Sequence, residues 1–183
     1  PWPFALWGLD IVGPLPAALG NRKFFIAATD YFTKWVEAEP LASIKEKDVK
    51  KFVWKNVITR FGISKDLISD NDTQFDGKLF RGCYEELKIE LYISTPAYPQ
   101  SNGQAEASNK TILDWLKKRL EKAKGKWAEE LPNVLWAYRT TPRRSTGETP
   151  FALAYSMEAV IPLEIGMPTI RSEGFQPDLN REA

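Results

Sequence analysis

The sequence predicts an α/β fold in which helices flank a mixed β-sheet. Three apolar segments with only short connections between them open the chain, at 7–12, 24–29 and 35–41, and this spacing favours antiparallel strands. The later apolar runs 67–69 and 91–94 are separated by a segment with helical spacing of its apolar residues, and strands separated by helices favour parallel pairing. A single sheet that combines both kinds of pairing satisfies the whole pattern.

The boundaries of the first helices follow from their capping residues. Ser43 and Glu46 form a capping-box pattern that predicts the start of the first helix, and Gly62 predicts its end. Asp76 is expected to cap the second helix, and a capping box at 101–104 is expected to open the third. The first helix precedes the 67–69 run, the second lies between the 67–69 and 91–94 runs, and the third follows the 91–94 run.

Two further helices complete the order β-β-β-α-β-α-β-α-α-α. Apolar residues at helical spacing between 127 and 138 indicate the first of them. Thr149 followed by Pro150 indicates the start of the other, because proline fits the first position of a helix. Beyond about Gly166 the periodicity disappears, and we expect residues 167–183 to form a linker or tail.

Composition excludes several classes of site. The 183-residue chain is long enough for one sizeable core, and its 43% of hydrophobic residues is typical of globular domains. It has no histidine and one cysteine, Cys83, so it cannot by itself build a zinc site, a histidine-dependent catalytic site or a disulfide. No apolar run approaches the ~18 residues of a membrane span, and nothing points to secretion. The chain starts at Pro1, and we expect it to be a piece of a longer protein.

Charge is unevenly distributed although the net charge is only +1. The segments 45–60 and 110–126 carry balances of +4 and +5, whereas the segment 66–90 carries −4. Basic helices beside an acidic region would suit a polyanion held next to bound cations. Solvated helix faces explain the same pattern for any one helix equally well.

Three acids occupy positions where an acid does not favour stability. Asp10 interrupts an apolar strand, Asp70 follows the 67–69 run, and Glu106 lies one turn into a helix. A buried carboxylate is costly unless it is paired or coordinates a metal, and oxygen ligands select Mg²⁺ or Mn²⁺. Each acid taken alone is better explained as a turn residue or a helix-end charge. The three together predict a metal-dependent site.

Long segments of the chain resemble the integrase catalytic core of retroviruses and LTR retrotransposons, most closely the gypsy-type elements of plants. They cover nearly the whole chain up to about residue 166 and read WGLDIVGPLP (7–16), DYFTKWVEAEPL (30–41), FGISKDLISDNDTQF (61–75), TPAYPQSNGQAEASNKTI (95–112), LWAYRTT (135–141) and TGETPFALAY (146–155). The family has two aspartates and a glutamate, with 35 residues between the second and third acids, and Asp70 and Glu106 have this spacing.

The resemblance implies a ribonuclease H-like fold, a five-stranded mixed sheet flanked by helices. It implies that Asp10, Asp70 and Glu106 are the catalytic residues and hold two Mg²⁺ (or Mn²⁺) ions, with Asp10 bridging both. Two such ions would activate the attacking oxygen and stabilise the leaving oxygen of a phosphoryl transfer. Three residues match positions of the family that contact DNA: Gln100, Asn109 and Lys110.

The implied function is DNA integration, in which a retrotransposon integrase joins the 3′ ends of element DNA to double-stranded target DNA. A homo-oligomer is expected, located in the nucleus if the copy is functional, with no small-molecule substrate and no membrane contact. Residues 1–166 would form the catalytic core. The zinc-binding and DNA-binding domains that flank the core in this family are expected to be missing from the fragment, so the core alone is expected to lack full activity.

Two departures from the family leave alternatives open. Asp72 stands where the family usually has glycine, and Tyr98 stands where gypsy-type elements have histidine. The chain is therefore an active integrase core, a decayed or domesticated copy that binds nucleic acid without catalysis, or a related nuclease of the same fold. The complete acidic triad favours the first hypothesis over the second, and the length of the matching motifs makes the third the weakest.

The tryptophans and arginines each have two interpretations. Aromatic side chains can stack on bases, but at helix or strand spacing they more often pack in a core or a subunit interface. This applies to Trp35, Trp54, Trp115, Trp127 and Trp136. Three arginines are either phosphate contacts or part of a solvated loop: Arg139, Arg143 and Arg144.

Overall fold

The computed structural model describes residues 2–70, 77–94, 103–120 and 125–159 of the chain. The strands within these residues are β1 (Leu6–Val12), β2 (Phe24–Asp30), β3 (Val36–Leu41), β4 (Asp66–Asp70) and β5 (Glu90–Ser94). The helices are α1 (Glu46–Val53), α2 (Thr59–Phe61), α3 (Lys78–Glu86), α4 (Gly103–Leu120), α5 (Trp127–Arg139) and α6 (Pro150–Tyr155). A π-helical turn, Trp54–Ile58, links α1 to α2.

The five strands form one mixed sheet in the order β3-β2-β1-β4-β5. Strand β2 pairs antiparallel with β1 and β3, as the short connections at the start of the chain predict. Strand β4 pairs parallel with β1 and β5, as expected for strands that are separated by helices. The predicted α/β class with a five-stranded mixed sheet and flanking helices is confirmed.

Each face of the sheet carries its own hydrophobic core. One core contains Trp7 and Leu9 of β1, which pack with the apolar faces of α1 and α3. The other core contains Phe25 and Ala27 of β2, which pack with residues of α4 and α5. Because successive side chains of a strand point to opposite faces, the residues of β1 that alternate with Trp7 and Leu9 face the second layer. Asp10 is one of them.

The expected capping box at Ser43 is wrong. Helix α1 begins at Glu46, and its N-cap is Lys45, whose backbone is extended (φ −116°, ψ 144°) and whose side chain makes no capping hydrogen bond. The carbonyl of Lys45 accepts from the N–H groups of Asp48 and Val49. The acids Glu46 and Asp48 lie in the first turn and complement the positive end of the helix, so charge replaces the side-chain cap.

Other predicted boundaries agree with the structure or fall outside it. The helical segment ends at Gly62, which has φ 91°. Thr149 caps α6, because its hydroxyl accepts from the N–H of Ala152 at 2.9 Å. The prediction that Asp76 caps α3 is wrong, because α3 begins at Lys78 and its N-cap is Gly77, with no side-chain cap. The predicted capping box at 101–104 begins outside the described residues.

Candidate metal centre and nucleic-acid interface

Glycine at position 8 allows α4 to lie close against β1. A Cβ atom at Gly8 would lie 2.9 Å from Cβ of Ala105 and 2.6 Å from Cε1 of Tyr31. Contacts this short are not tolerated by carbon atoms, so any larger residue would push the helix from the strand. Ala105 is the residue before Glu106, so Gly8 sets how near the predicted catalytic helix comes to the strand that carries Asp10.

Asp10 is held by two N–H donors. Nδ2 of Asn109 donates to Oδ2 of Asp10 at 2.7 Å, and the backbone N–H of Ile11 donates to Oδ1 at 2.7 Å. The carboxylate is half-buried, whereas Asn109 is 4% exposed. A hydrogen bond from a buried amide restricts the rotation of the carboxylate. The structure therefore presents Asp10 to solvent in one orientation.

Asn109 therefore has a role in this structure that the sequence did not predict. The resemblance implies a DNA contact at this position, and that assignment stays a prediction. What the structure adds is a link between the helix and the strand across 99 residues of sequence. The i, i+3 spacing from Glu106 was the one sequence feature that could have pointed to it, but spacing alone did not identify Asp10 as the partner.

The pairing of the strands brings Asp70 to the same edge of the sheet. Leu9 of β1 is in register with Ser69 of β4. Asp10 and Asp70 are the next residues of the two strands, so their backbones lie at the same edge of the sheet. The side chain of Asp70 lies outside the described residues, as does Gln100. Glu106 lies one helical turn before Asn109 and is exposed, as is Lys110. The fold thus brings two of the three predicted acids and the backbone of the third to one region.

The chemistry of these groups fits a divalent cation of the Mg²⁺ type. Carboxylate oxygens are available from β1 and α4, and oxygen is the ligand that Mg²⁺ and Mn²⁺ prefer. Oδ1 of Asn109 is buried and has no hydrogen-bond partner among the described residues. A metal-bound water is one group that would satisfy it. Among the described side chains, no group of three or more acids, cysteines or histidines is close enough to hold a metal, and that set leaves out the carboxylate of Asp70.

Arg139, considered from sequence as a phosphate contact or a loop residue, is neither. Its Nη2 lies 3.0 Å from Oε2 of Glu37, and its guanidinium stacks over the ring of Trp35 at 4.3 Å. Burial lowers the pKa of Arg139, and the charge of Glu37 opposes that shift. Nη1 of Arg60 contacts Oε1 of the same glutamate at 2.8 Å. We call Glu37, Arg60, Arg139 and Trp35 the Glu37 cluster.

The tryptophans divide between core and surface. Trp35 and Trp127 are buried, as the packing interpretation predicts, and Trp115 packs against the second core. Trp54 and Trp136 are 50% and 36% exposed. Cys83 is half-buried on α3. In the part of the chain that the structure describes, no helix combines the length and the apolar character needed to cross a membrane.

Comparison with known proteins gives matches in sequence and in structure. No protein-family model matches the chain. The Gag-Pol polyprotein of woolly monkey sarcoma virus is 34% identical over 178 residues, which are 97% of this chain and 10% of the polyprotein. The chain therefore spans about a tenth of that relative's length.

Solved structures share the fold. A chain of the simian T-cell lymphotropic virus intasome in complex with the PP2A regulatory subunit B56 gamma matches with a TM-score of 0.75 and 18% identity, over 87% of this chain and 57% of that one. The HTLV-2 integrase catalytic core domain, in complex with magnesium and in a trimeric form, matches with a TM-score of 0.68 and 16% identity. That alignment covers 84% of this chain and 98% of the viral domain.

Proposed function

The chain belongs to the integrase catalytic cores, by its sequence relation to retroviral Pol polyproteins and by its fold, and from this premise we propose that it is a metal-dependent polynucleotidyl transferase acting in DNA integration. Its substrates would be the 3′ ends of element DNA and double-stranded target DNA. The acids Asp10, Asp70 and Glu106 would hold the metal ions. We further propose that the protein forms a homo-oligomer and acts in the nucleus.

The observation that carries this proposal is the contact between Asp10 and Asn109. A half-buried carboxylate on a strand is held at 2.7 Å by a buried amide on the helix that also carries Glu106. Orientation of this kind has little value for stability, because Asp10 would be better solvated in water. It has value for a group that must meet a ligand in one geometry.

The roles of the protein groups follow from their positions. A divalent ion bound here would polarise a phosphodiester and activate the attacking oxygen. Asp10 would bind from the strand, with Asn109 limiting its rotation. Glu106 would bind from the helix, where Gly8 keeps α4 close to the sheet. Lys110 is exposed one turn after Glu106, so its ammonium would attract the phosphate backbone beside the acids.

Support for oligomers and for magnesium comes from relatives. The HTLV-2 integrase core is described in a trimeric form with magnesium, and the simian virus match is a chain of an intasome. Both likenesses extend across more than four-fifths of this chain. We therefore propose Mg²⁺ or Mn²⁺ as the cofactor and DNA with further copies of this chain as the partners.

The test combines metal binding and chemistry in the 183-residue chain. Mn²⁺ should broaden the amide resonances of β1 and the start of α4, and Asp10→Asn with Glu106→Gln should abolish that broadening. The same pair of substitutions should lower Mn²⁺-dependent cleavage of an end-labelled duplex at least about a hundredfold, since misplacing a reacting group by ~1 Å can cost that much. Glu129→Gln is the matched control, because Glu129 is also an exposed acid in the first turn of a helix.

The outcomes separate the hypotheses. Broadening and cleavage that survive the double substitution would place the metal elsewhere and overturn the site. DNA binding without metal binding or cleavage in the unchanged chain would identify a decayed copy. Cleavage without any joining of DNA strands, even with flanking domains added, would favour the related nuclease.

A further inference from the structure

A cavity of about 360 Å³ lies beside α4, next to the face that carries Glu106 and Lys110. Two cationic residues, Lys34 and Arg143, line it together with hydroxyl-bearing residues of α4, α5 and the loop that follows α5. The hydroxyl residues are Ser108, Thr111, Tyr138 and Ser145. No acidic side chain belongs to the lining that the structure describes. The two cations give the cavity the composition of an anion site. Two of its hydroxyl groups donate within the protein, Thr111 to the carbonyl of Ala107 at 3.0 Å and Tyr138 to Oγ of Ser108 at 2.9 Å.

Arg143 is fixed in position at this cavity. Its guanidinium lies 3.9 Å from the centre of the Tyr138 ring and 5.6 Å from that of Trp115. Its Nη2 and Nε donate to the carbonyls of Tyr138 and Thr141, each at 3.3 Å. The hydroxyl of Tyr138 in turn donates to Oγ of the buried Ser108 at 2.9 Å. An arginine held in this way loses little entropy when it binds an anion.

Lys34 reaches the cavity from the turn between β2 and β3, which is held by Asp30. The carboxylate of Asp30 accepts from the N–H and the hydroxyl of Thr33, both at 2.7 Å. Nζ of Lys34 donates to the carbonyl of Tyr31 at 2.6 Å. The turn and the ammonium are both positioned before any ligand arrives.

The backbone conformation of Lys34 is one that favours glycine. Its φ of 62° lies in the left-handed region, which glycine enters at little cost and lysine only at about 1 kcal/mol. A residue that is costly for the backbone persists where its side chain has a use. Burial also lowers the pKa of Lys34, and the charge of Asp30 opposes that shift.

We propose that this cavity binds a phosphodiester group of the DNA backbone, as a second contact beside the acidic site. The choice of ligand rests on the proposed function. Ala107 and Thr111 face the cavity, and Glu106 and Lys110 lie one residue earlier, about 100° around the helix. A duplex that crosses α4 would therefore meet Lys110 on one side of the helix and Arg143 with Lys34 on the other.

The most informative variant is Lys34→Gly, because it removes the positive charge and also the energetic cost of a left-handed backbone at a residue with a side chain. Lys88→Gly is the matched control, since Lys88 also has a left-handed backbone (φ 57°) and is exposed, but does not line the cavity. Neither variant should lower the melting temperature. Arg143→Gln is paired in the same way with Arg81→Gln, an exposed arginine of α3 that does not line the cavity.

Binding of a fluorescent duplex is followed by anisotropy across a salt series. Lys34→Gly and Arg143→Gln should each weaken binding roughly fivefold at low salt and reduce the slope of log K against log salt by about 0.9, the value for one lost phosphate contact. The two controls should change affinity less than about twofold, as expected for charges away from the DNA.

Three results would overturn the proposal. If Lys34→Gly and Arg143→Gln bind DNA as their controls do, the cavity makes no phosphate contact and only this inference fails. If the unchanged chain binds no duplex, the proposed function fails with it. If inorganic phosphate shifts the amide resonances of Ser108, Thr111 and Ser145 in the unchanged chain but duplex DNA does not, the site takes a free phosphate and not a backbone.

Discussion

Glu37 on β3 and Asp10 on β1 are both strand carboxylates, but they differ in burial and in the donors that hold them. Glu37 is 3% exposed and contacts two arginines, Arg60 at 2.8 Å and Arg139 at 3.0 Å. Asp10 is half-buried and accepts from the neutral N–H groups of Asn109 and Ile11. The first carboxylate is paired with two cations within the fold, whereas the second is half-buried and oriented by amide N–H donors.

The difference separates a carboxylate that the fold pairs with its own cations from the carboxylate that we propose as a metal ligand. A carboxylate removed from water needs cations of the protein itself, because desolvation would otherwise exceed any gain. Glu37 meets this need by pairing with Arg60 of α2 and with Arg139 at the end of α5. A carboxylate at the surface can instead be completed by a cation from solution. Asp10 has the exposure that suits this second arrangement.

The largest effect on stability is expected at the Glu37 cluster. Glu37→Gln should lower the free energy of unfolding by about 3 kcal/mol, because it leaves Arg139 largely buried without its counter-charge. Urea denaturation measures the change. Glu39→Gln is the control on the same strand: its pair with Lys55 is exposed, with side chains 34% and 60% accessible, and should be worth less than about 1 kcal/mol. Equal losses for both variants would contradict the distinction between a buried and an exposed charge.

A smaller effect is expected where the helix meets the strand. Gly8→Ala should destabilise the protein by about 1–3 kcal/mol, since the added methyl group overlaps Ala105 and Tyr31. Gly82→Ala makes the same change on α3, where nothing lies within 4 Å of the added atom, and should stabilise by about 0.5–1 kcal/mol through helix propensity. Thermal and urea unfolding would show opposite signs. The same sign for both would mean that α4 does not depend on the missing side chain at position 8.

The smallest effect on stability is expected at the acidic site itself. Asn109→Ala removes the hydrogen bond to Asp10 and should cost only about 1 kcal/mol. The loss is partly offset because the substitution also removes the buried Oδ1, which has no partner among the described residues. Asn133→Ala, which removes an exposed contact of 3.5 Å to Glu130, should change stability by less than about 0.5 kcal/mol. A loss at Asn109 as large as that at Glu37 would show that the acidic site is a structural cluster too.

Local sequence patterns predicted most of the architecture. The short connections of the first three strands and the helices between the later ones predicted the observed mixed sheet. Thr149 with Pro150 predicted the start of α6, because a cap depends on residues within one turn of it. The same reasoning failed at Ser43, where the charges of Glu46 and Asp48 provided another solution for the helix end. Periodicity and capping are short-range properties, so sequence alone can determine elements of this kind.

The sequence by itself therefore determined the sheet, the helices and the positions of the three acids along the chain. Tertiary structure alone decided which groups meet: Asn109 with Asp10, Arg139 with Glu37, and Lys34 with Arg143 around one cavity. These partners are about 100 residues apart, and each pair forms because the close packing of helices against the sheet sets distances to within an ångström. A spacing pattern indicates which side chains lie on one face of a helix or strand. Which groups those side chains contact is determined only when a second element packs against that face.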